Sequence, residues 1–460
     1  TISQQSPAEH IEHHNSISHH PAGLCPSCSV SDSKSKAADS DKGTPTTASG
    51  IDYAAKFKDN PVQGITETSI KLGIADLDFG KIKEQFGVDT SGGGNAMPDE
   101  VMPALVKALN DSGGINGRKV EIVTSKFVPV GTETSEATCR KLIEDEKVFA
   151  VIGTFLGDNG LCVTETHKTP YFSGWGLNAE RQARSNAPFI TVQASEEDLA
   201  AEQMKTAIKA GVFKDKKVAV YWDAETNDAL INDVLIPTLE KGGVTVVGSA
   251  KLPESGGDQV KSGQDIDTIF ERFKADGADA VVINSGLGVP IPAIERSTWS
   301  PRWVFTNAQS SSSLTGFGLK TPARLTDAAA VTVAIPQEVM EKSPGYLDCL
   351  KRINANSDLN LKPTDDRRAK DFEGSAGAVN VPVACQSWDL TVKVLEAAGK
   401  NPTSSSIIAG LSKLKSFSLP GLENASLSPT RWGAGAEPLT WHFDVAKGAF
   451  VRDDLAGAGN

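Results

Sequence analysis

The sequence has no run of roughly eighteen or more apolar residues, and this absence argues against a transmembrane helix. Positive charge is the scarcer sign, since 46 Lys and Arg against 58 Asp and Glu give a formal net charge of −12 at pH 7. A chain without a basic patch cannot neutralise the phosphates of a nucleic acid, and it is not attracted to an anionic membrane. We therefore expect no nucleic-acid partner and no electrostatic docking on lipid.

The motifs of common catalytic and nucleotide-binding folds are missing too. No Gly-x-Gly-x-x-Gly follows a predicted strand, no Gly-x-x-x-x-Gly-Lys-Ser/Thr occurs, and the run that starts at Ser173 (Ser-Gly-Trp-Gly) lacks the leading glycine of a nucleophile elbow. Only two histidines, His167 and His442, lie beyond residue 65, and each is better explained as a surface or hydrogen-bonded residue than as a general base. We predict a protein that is not an enzyme, with no cofactor and no metal site in its body.

Residues 1–65 differ in composition from the rest. They contain five of the seven histidines and the pair Cys25 and Cys28, followed by a run rich in Ser, Lys, Asp and Thr. Such a segment has little apolar surface to bury, so we predict a disordered tether. His and thiolate groups bind zinc or copper, which leaves metal sequestration open as an alternative function, although no second ligand pair completes a tetrahedral site.

Cys28 has a further interpretation. Followed by a polar spacer, it resembles the acylated first residue of a mature bacterial lipoprotein, but the residues before it do not form a lipobox. The chain begins at Thr1 rather than Met, so we expect a signal segment to have been removed from it.

From Thr66 onward, short apolar strands alternate with amphipathic helices. A length of 460 residues suggests two or three domains, and repeated β-α units predict parallel sheets covered by helices on both faces. We predict an α/β fold with two doubly wound lobes. The strands are predicted at 69–75, 119–124, 148–153, 170–173, 217–221, 245–249, 280–284 and 303–306, and the helices at 98–112, 134–145, 159–167, 196–210, 229–241 and 266–276.

Several strings stand in an order that resembles one family. They begin at Ser112 (SGGINGRKVEI), Lys147 (KVFAVIG), Thr169 (TPYFS), Lys217 (KVAVYWD), Gly277 (GADAVVIN) and Pro438 (PLTW). The set resembles the type I periplasmic binding proteins, most closely the branch of leucine/isoleucine/valine-binding proteins of ABC transporters.

The resemblance implies two lobes joined by a three-crossing hinge, in the manner of a Venus flytrap, with a ligand between them. Lobe 1 would comprise 66–192 plus 308–437, and lobe 2 would comprise 193–307 plus 438–460. It also implies an extracytoplasmic monomer that delivers its ligand to a membrane permease. A ligand-sensing receptor domain and a hydrolase built on the same fold are the alternatives.

Ligands of open α/β sheets bind beyond the carboxyl ends of the strands, so the loops that follow the strands should line the cleft. This rule and the resemblance select the same candidate ligand-binding residues: Asp76, Asp78, Phe79, Gly157, Asp158, Ser173, Trp175, Trp222, Asp223, Ser285, Leu287, Asn307 and Gln309. For the aspartates the alternative is helix capping, which the same strand–loop–helix junctions favour. For Trp175 the alternative is packing in the core of its lobe.

Three anchors of an α-amino acid are absent where the family would place them. Gly157 and Leu177 stand at the two hydroxyl positions that hold a carboxylate, and Ala308 or Gln309 replaces the acid that holds an ammonium group. We therefore expect weak binding of standard amino acids. The remaining aromatic and acidic residues favour a ligand with a flat or apolar body and with donors facing Asp78 or Asp158.

Four cysteines lie in or beside predicted helices, as two sequence-local pairs. They suit an oxidising compartment, although four buried thiols are the alternative. In the family that the chain resembles, the helices of each pair pack beside one another. We therefore predict disulfides Cys139–Cys162 and Cys349–Cys385.

Overall fold

The structure is a computed structural model, and it describes residues 51–78, 81, 84, 101–128, 132–155, 157–223, 226–255, 258–286, 288–306, 314, 318–333, 340, 342–363, 377–435 and 438–453. The histidine- and cysteine-rich part of the predicted tether, and with it Cys28, lies outside these residues. No helix in the described ranges is long and apolar enough to cross a membrane.

The first sheet has five strands, all parallel, in the order β2-β1-β3-β4-β5. These strands are β1 (Ser69–Leu77), β2 (Lys119–Phe127), β3 (Ala150–Gly153), β4 (Tyr171–Ser173) and β5 (Phe189–Thr191). Strands β3, β4 and β5 are short and fully buried, as expected for a parallel sheet covered on both faces.

Helices cover this first sheet and are drawn from distant parts of the chain. The α-helices of this layer are α1 (Tyr53–Lys56), α2 (Val101–Asp111), α3 (Glu133–Arg140), α4 (Ala179–Arg184), α9 (Pro344–Asn354), α10 (Gly377–Ala398) and α11 (Ser404–Leu411). A π-helical turn, Lys141–Asp145, continues α3, and the short turns Gly157–Gly160 and Cys162–Thr166 follow β3. The hairpin of β11 (Phe417–Leu419) and β12 (Leu422–Ala425) completes the layer. We call this unit lobe 1.

The second sheet has seven strands in the order β14-β13-β10-β9-β8-β6-β7. Its parallel strands are β6 (Lys217–Trp222), β7 (Thr245–Lys251), β8 (Ala280–Asn284), β9 (Arg302–Phe305) and β10 (Ala329–Thr332), while β13 (Leu439–Asp444) and β14 (Ala449–Arg452) add an antiparallel hairpin. Its helices are α5 (Glu196–Lys209), α6 (Ile236–Lys241), α7 (Gln259–Ala275) and α8 (Pro290–Arg296), with a π-helical turn, Leu230–Leu235, before α6. We call this unit lobe 2.

The chain passes between the sheets three times: after β5, after β10 and before β13. At the first and third crossings the chain segments run side by side. Thr191 bridges Gly433, and the Ala434 N–H donates to the Thr191 carbonyl at 2.8 Å. A side chain at position 433 would meet the Gln193 carbonyl oxygen at 2.6 Å, so glycine permits this close approach. The fold expected from the sequence is confirmed.

One lobe boundary differs from the sequence-based prediction. Residues from 308 onward were expected in lobe 1, but Ala329 and Ala330 pair in parallel with Val304 and Phe305, and β10 also pairs with β13. The reason is that the chain adds one more strand to the second sheet before it returns, so the crossing follows Thr332. The sequence pattern missed this strand because Ala329–Thr332 is short and rich in alanine.

The end of the predicted tether is also corrected. Residues 51–65 are ordered, and Tyr53 and Phe57, each only 1% exposed, lie within the lobe 1 core. Their rings contact Trp432 with centroid separations of 4.5 and 6.0 Å. Lys56 donates to the Ser185 carbonyl at 2.7 Å. Tyr53 on α1 and Phe57 directly after it, four positions apart, supply the apolar surface that the composition of the preceding segment lacks.

Both predicted disulfides are confirmed. Cys139 on α3 is bonded to Cys162, and Cys349 on α9 is bonded to Cys385 on α10. Each bond joins neighbouring helices within lobe 1, with Cα separations of 6.2 and 6.0 Å, which lie in the usual range for a disulfide.

Candidate functional site

The candidate site consists of the loops that follow the parallel strands of the two sheets. In lobe 1 these loops begin at Asp78 after β1, at Thr154 after β3 and at Gly174 after β4. In lobe 2 they begin at Asp223 after β6 and at Ser285 after β8. Because the strands of each group are parallel, each set of loops lies at one edge of its sheet.

In lobe 2 the structure brings Asp223 and the Ser285 loop together. One carboxylate oxygen of Asp223 accepts from the N–H and the hydroxyl of Thr226, at 3.0 and 2.6 Å. The other accepts from the Gly286 N–H at 3.2 Å. Ser285 is 7% exposed, and its hydroxyl donates to the neighbouring Gly286 carbonyl at 3.0 Å. Asp223 therefore fastens the loop after β6 to the loop after β8.

Trp222 belongs to the core of lobe 2 more than to an open surface. It is 6% exposed and packs in the apolar cluster around Met204 and Leu235. Its indole N–H donates to Asp228 at 2.9 Å, and Lys251 pairs with the same carboxylate at 3.0 Å. The hydrogen bond from Trp222, supported by Lys251, lowers the pKa of Asp228.

In lobe 1 the aspartate near the end of β1, Asp76, and the one directly after it, Asp78, have local hydrogen bonds. Asp76 is 3% exposed, and its carboxylate accepts from the Leu77 N–H at 3.0 Å. Asp78 accepts from the Lys81 N–H at 3.0 Å, and its other oxygen lies 3.3 Å from the Lys81 Nζ. An acceptor three residues before the N–H it binds is the geometry of a helix N-cap, the alternative weighed for the aspartates.

Asp158 is held by two arginines of α4. Arg181 Nε and Arg184 each donate to its carboxylate at 2.8 Å. Burial raises the pKa of Asp158, but these two hydrogen bonds outweigh that effect and leave its pKa below the usual value. Asp158 also lines a groove of about 480 Å³ beside the Cys139–Cys162 disulfide, together with Glu165 and Arg184.

Two candidate residues, Ser173 at the end of β4 and Trp175 in the loop after it, are less engaged by neighbouring side chains than the aspartates. Ser173 is 1% exposed, and its hydroxyl has no hydrogen-bond partner in the described part of the chain. Trp175 is half-buried, whereas Leu177 is fully buried in the lobe 1 core. Gly157 has a φ of +54° at the start of a short 3₁₀ turn. Phe79, Leu287, Asn307, Ala308 and Gln309 lie outside the described residues.

Sequence reasoning did not find the polar contacts that join the lobes beside the first crossing. Arg181 donates to Glu196, at the first turn of α5, at 2.9 Å, and Asn178 donates to the same carboxylate at 3.2 Å. Farther along α5, a second polar contact lies within lobe 2, where Gln203 donates to the carbonyls of Thr306 and Val331 at 2.7 and 2.8 Å. The contacts of Glu196 could have been suspected from the acidic triplet 196–198, which directly follows Ser195. These residues begin a helix without any apolar residue.

No group of three or more His, Cys, Asp or Glu side chains among the described residues is arranged to hold a metal ion. The described candidate residues are mainly carboxylates that accept hydrogen bonds from nearby donors. Beside them are the Ser173 hydroxyl, which has no hydrogen-bond partner among the described residues, and the half-buried indole of Trp175. Aromatic side chains together with a few placed polar groups are typical of the lining of small-molecule sites.

The comparisons with known proteins agree with this geometry. The sequence model of a family described as periplasmic binding protein matches residues 89–296. No curated protein sequence matches the chain. Among solved structures, a solute-binding protein of an ABC transporter from Rhodopseudomonas palustris, in complex with 4-hydroxybenzoate, is similar, with a TM-score of 0.58, 17% identity, and coverage of 84% of this chain and 95% of the other.

Two further structures have bound amino acids. A substrate-binding protein from Desulfitobacterium hafniense in complex with Leu has a TM-score of 0.55 at 12% identity and covers 84% of this chain and 99% of its own. A branched-chain amino acid substrate-binding protein from Streptococcus pneumoniae in complex with isoleucine has a TM-score of 0.55 at 15% identity, covering 84% of this chain and all of its own, 100%. At these identities the likeness establishes the fold, and the expectation of a type I periplasmic binding fold is confirmed.

Proposed function

We propose that this chain, which has the type I periplasmic binding fold, is a periplasmic binding protein that captures a small organic ligand between its lobes and presents it to the permease of an ABC transporter. The observation that carries the proposal is the topology: one parallel and one mainly parallel sheet, each with loops at the carboxyl ends of its parallel strands, are joined by three crossings. A ligand that contacts both sets of loops would shift the population of lobe arrangements, because it binds one arrangement better than the others.

We propose further that the ligand is not a standard α-amino acid. Position 157 is a glycine, and Leu177 is 0% exposed in the lobe 1 core, so neither offers a hydroxyl to a carboxylate. A missing hydrogen bond to a charged group costs about 1.5–3 kcal/mol. Two such losses correspond to a weakening of roughly a hundredfold or more.

The contacts refine the expected ligand chemistry. The carboxylates of Asp78, Asp158 and Asp223 are already engaged by donors of the protein itself, which for Asp158 are the arginines of α4. We therefore assign them to holding the loops in place and give Trp175 the principal ligand contact. A half-buried indole stacks on a flat or apolar body. The nearby Ser173 hydroxyl is buried and has no hydrogen-bond partner among the described residues, so it is the candidate for a polar contact. One of the similar proteins holds 4-hydroxybenzoate, which has such a flat body.

The proposed setting is extracytoplasmic. Two disulfides within lobe 1 persist in an oxidising compartment and are rare in the cytosol. A monomer that is tethered at the membrane through the segment before residue 51 would suit delivery to a permease.

Two measurements test the proposal. Native mass spectrometry of the purified protein should show a bound small molecule in a 1:1 ratio that denaturation releases. Calorimetry should then show that this compound, or an aromatic acid such as 4-hydroxybenzoate, binds more tightly than leucine. Micromolar binding of leucine, isoleucine or valine would contradict the proposed ligand class.

Variants separate the cleft from general stability. Trp175→Ala should weaken binding of the released compound by at least tenfold, because the stacking surface is lost. Trp441→Ala is the matched control, since Trp441 is another half-buried tryptophan that packs on the lobe 2 core. Equal loss of affinity in both variants would show that Trp175 acts through the fold rather than by contact.

A further inference from the structure

The first turn of α5 is a junction between the lobes. This helix packs on the lobe 2 sheet but begins directly after the first crossing, with Ser195 as its N-cap. Its first three residues are all acidic. Negative charge is favourable at a helix N-terminus, so the triplet stabilises α5 itself. Each of the three carboxylates also reaches lobe 1, and this goes beyond what helix formation requires.

The outer two carboxylates are paired with arginines. Glu196 accepts from Arg181 of α4 at 2.9 Å, and its side chain is 37% exposed. Asp198 lies 3.8 Å from Arg431, which is just before the third crossing, and its side chain is 53% exposed. Ion pairs that are this open to water contribute little each and weaken further with salt.

Glu197, between them, has a different environment. Its Oε1 accepts from the N–H of Ala179, the first residue of α4, at 2.9 Å. Its Oε2 is buried and has no hydrogen-bond partner in the described ranges. The charged groups that face it are Glu196 and Asp198, both negative, while the donor from α4 is an uncharged amide. Burial, helped by these two neighbours, raises the pKa of Glu197 even though hydrogen bonds from the Ala179 N–H and from the N–H of Glu197 itself oppose the shift.

A partly buried carboxyl group whose Oε2 is buried and unpaired in the described ranges, beside two like-charged neighbours, disfavours ionisation. We propose that Glu197 is a protonation-sensitive latch between α5 and α4. When protonated, its carboxyl is neutral in the buried position and keeps the contact with lobe 1. When ionised, it favours lobe arrangements in which the carboxylate reaches water.

The latch lies close to the candidate ligand loop. The Glu196 N–H donates to the Leu177 carbonyl at 2.8 Å, and Arg181 donates to the Gly176 carbonyl at 2.9 Å. Both carbonyls belong to the loop that carries Trp175. A change at the start of α5 therefore acts on the backbone next to the indole. This step rests on the proposed function, whereas the latch itself can be tested without a ligand.

The sign of the pH effect follows from the raised pKa of Glu197. A group whose pKa is higher in the folded state contributes its stabilisation fully below the unfolded pKa and loses it as the pH rises through the folded pKa. The observed contact between α5 and α4 should therefore be strongest in acid and weaker at neutral pH. Glu197→Gln mimics the protonated form, because it is neutral, similar in shape and keeps an oxygen acceptor for Ala179.

The test combines a titration with a variant. In the wild-type protein, the amide resonance of Ala179 should titrate with a midpoint above the ordinary Glu value of about 4.3. Glu197→Gln should abolish that titration. The variant should raise the unfolding temperature by about 1–3 °C at pH 7.5, and the gain should vanish near pH 4. Glu202→Gln is the control, since Glu202 is exposed on the same helix and pairs with Lys205.

Two results would overturn the latch. The first is an Ala179 amide that titrates at or below the ordinary Glu midpoint, which can be read in the wild-type protein whatever the variant does. The second is a Glu197→Gln protein that is no more stable than the wild type at pH 7.5. Both measurements use ligand-free protein, so a failure of the proposed ligand capture leaves their outcome unaffected.

Discussion

The two lobes share a doubly wound architecture but are held together differently. Lobe 1 gathers its helices from three parts of the chain: α1 from before the first strand, α2 to α4 from between its strands, and the segment 342–435 from after lobe 2. Lobe 2 is almost continuous, from α5 to β10, with one hairpin, β13–β14, added from the end of the chain. All four disulfide-bonded cysteines lie in lobe 1, and the sequence from α5 to β10 contains no cysteine.

This difference suggests where each lobe obtains its stability. Contacts between distant parts of the chain cost more loop-closure entropy, and a disulfide reduces that cost by restricting the unfolded state. Lobe 2 relies on its seven-stranded sheet and on buried hydrogen bonds such as those of Gln203. We therefore expect the stability of lobe 1 to depend on residues that join distant parts of the chain, such as its disulfides and Trp432. The stability of lobe 2 should depend on its buried polar contacts.

The largest effect is expected at Trp432. Its ring is fully buried against Tyr53 and Phe57, so Trp432→Ala should lower the free energy of unfolding of lobe 1 by about 3–5 kcal/mol. Trp441→Ala in lobe 2, where the ring is half-buried, should cost clearly less. Calorimetry of both variants measures the comparison. Equal losses of unfolding free energy in the two variants would show that the cluster of Trp432, Tyr53 and Phe57 gives lobe 1 no special stabilisation.

The next largest effect concerns the disulfide that links α9 to α10. It closes a loop with a sequence separation of 36, for which the chain-entropy estimate is about 3–4 kcal/mol. The double change of Cys349 and Cys385 to Ala should therefore lower the lobe 1 transition in a thermal scan and leave a separate lobe 2 transition in place. A single transition that shifts as a whole would mean that the lobes unfold as one unit.

A smaller loss is expected in lobe 2 from Gln203→Leu. The Gln203 side chain is 4% exposed and donates to two carbonyl oxygens, those of Thr306 and Val331. Removing it leaves buried acceptors unpaired, at a cost of about 1–3 kcal/mol. Chemical denaturation with a probe in lobe 2 measures the effect. Gln203→Glu serves as a second variant that keeps the length of the side chain but loses the donor.

The smallest effect is a pH dependence at Asp158. Because the net pKa of Asp158 is lowered by Arg181 and Arg184, its contribution is present above the unfolded pKa of about 3.9 and is lost as the pH falls through the folded value. Its side chain is 56% exposed, so solvent screening limits the contribution to about 1 kcal/mol or less. Asp158→Asn should reduce stability at pH 7 by such an amount and match the wild type near pH 2.

Much of the fold was predictable because the strands of parallel sheets are short apolar runs between amphipathic helices. The strand Lys217–Trp222 and the helix Glu196–Lys209 were predicted to within one residue at either end. β10 was missed because its four residues carry no strong β signal. The ordering of Tyr53 and Phe57 was missed because it depends on Trp432, which lies far away in the sequence.

The site was less predictable than the fold. The sequence rule located the loops after the strands, but it could not tell whether an aspartate faces a ligand or caps its own loop. That distinction depends on donors elsewhere in the chain, such as Arg181 for Asp158 and Gly286 for Asp223. For the same reason the acidic start of α5 revealed its contacts with lobe 1 only in three dimensions.

The central claim is that one ligand contacts both lobes at the carboxyl edges of their sheets. Hydrogen exchange of the protein, with and without the compound released from it, tests this most directly. We expect the ligand to slow exchange both in the Gly174–Gly176 loop of lobe 1 and in the Ser285–Gly286 loop of lobe 2, with equal dependence on ligand concentration. Protection confined to one lobe, or to the groove beside Asp158, would contradict it.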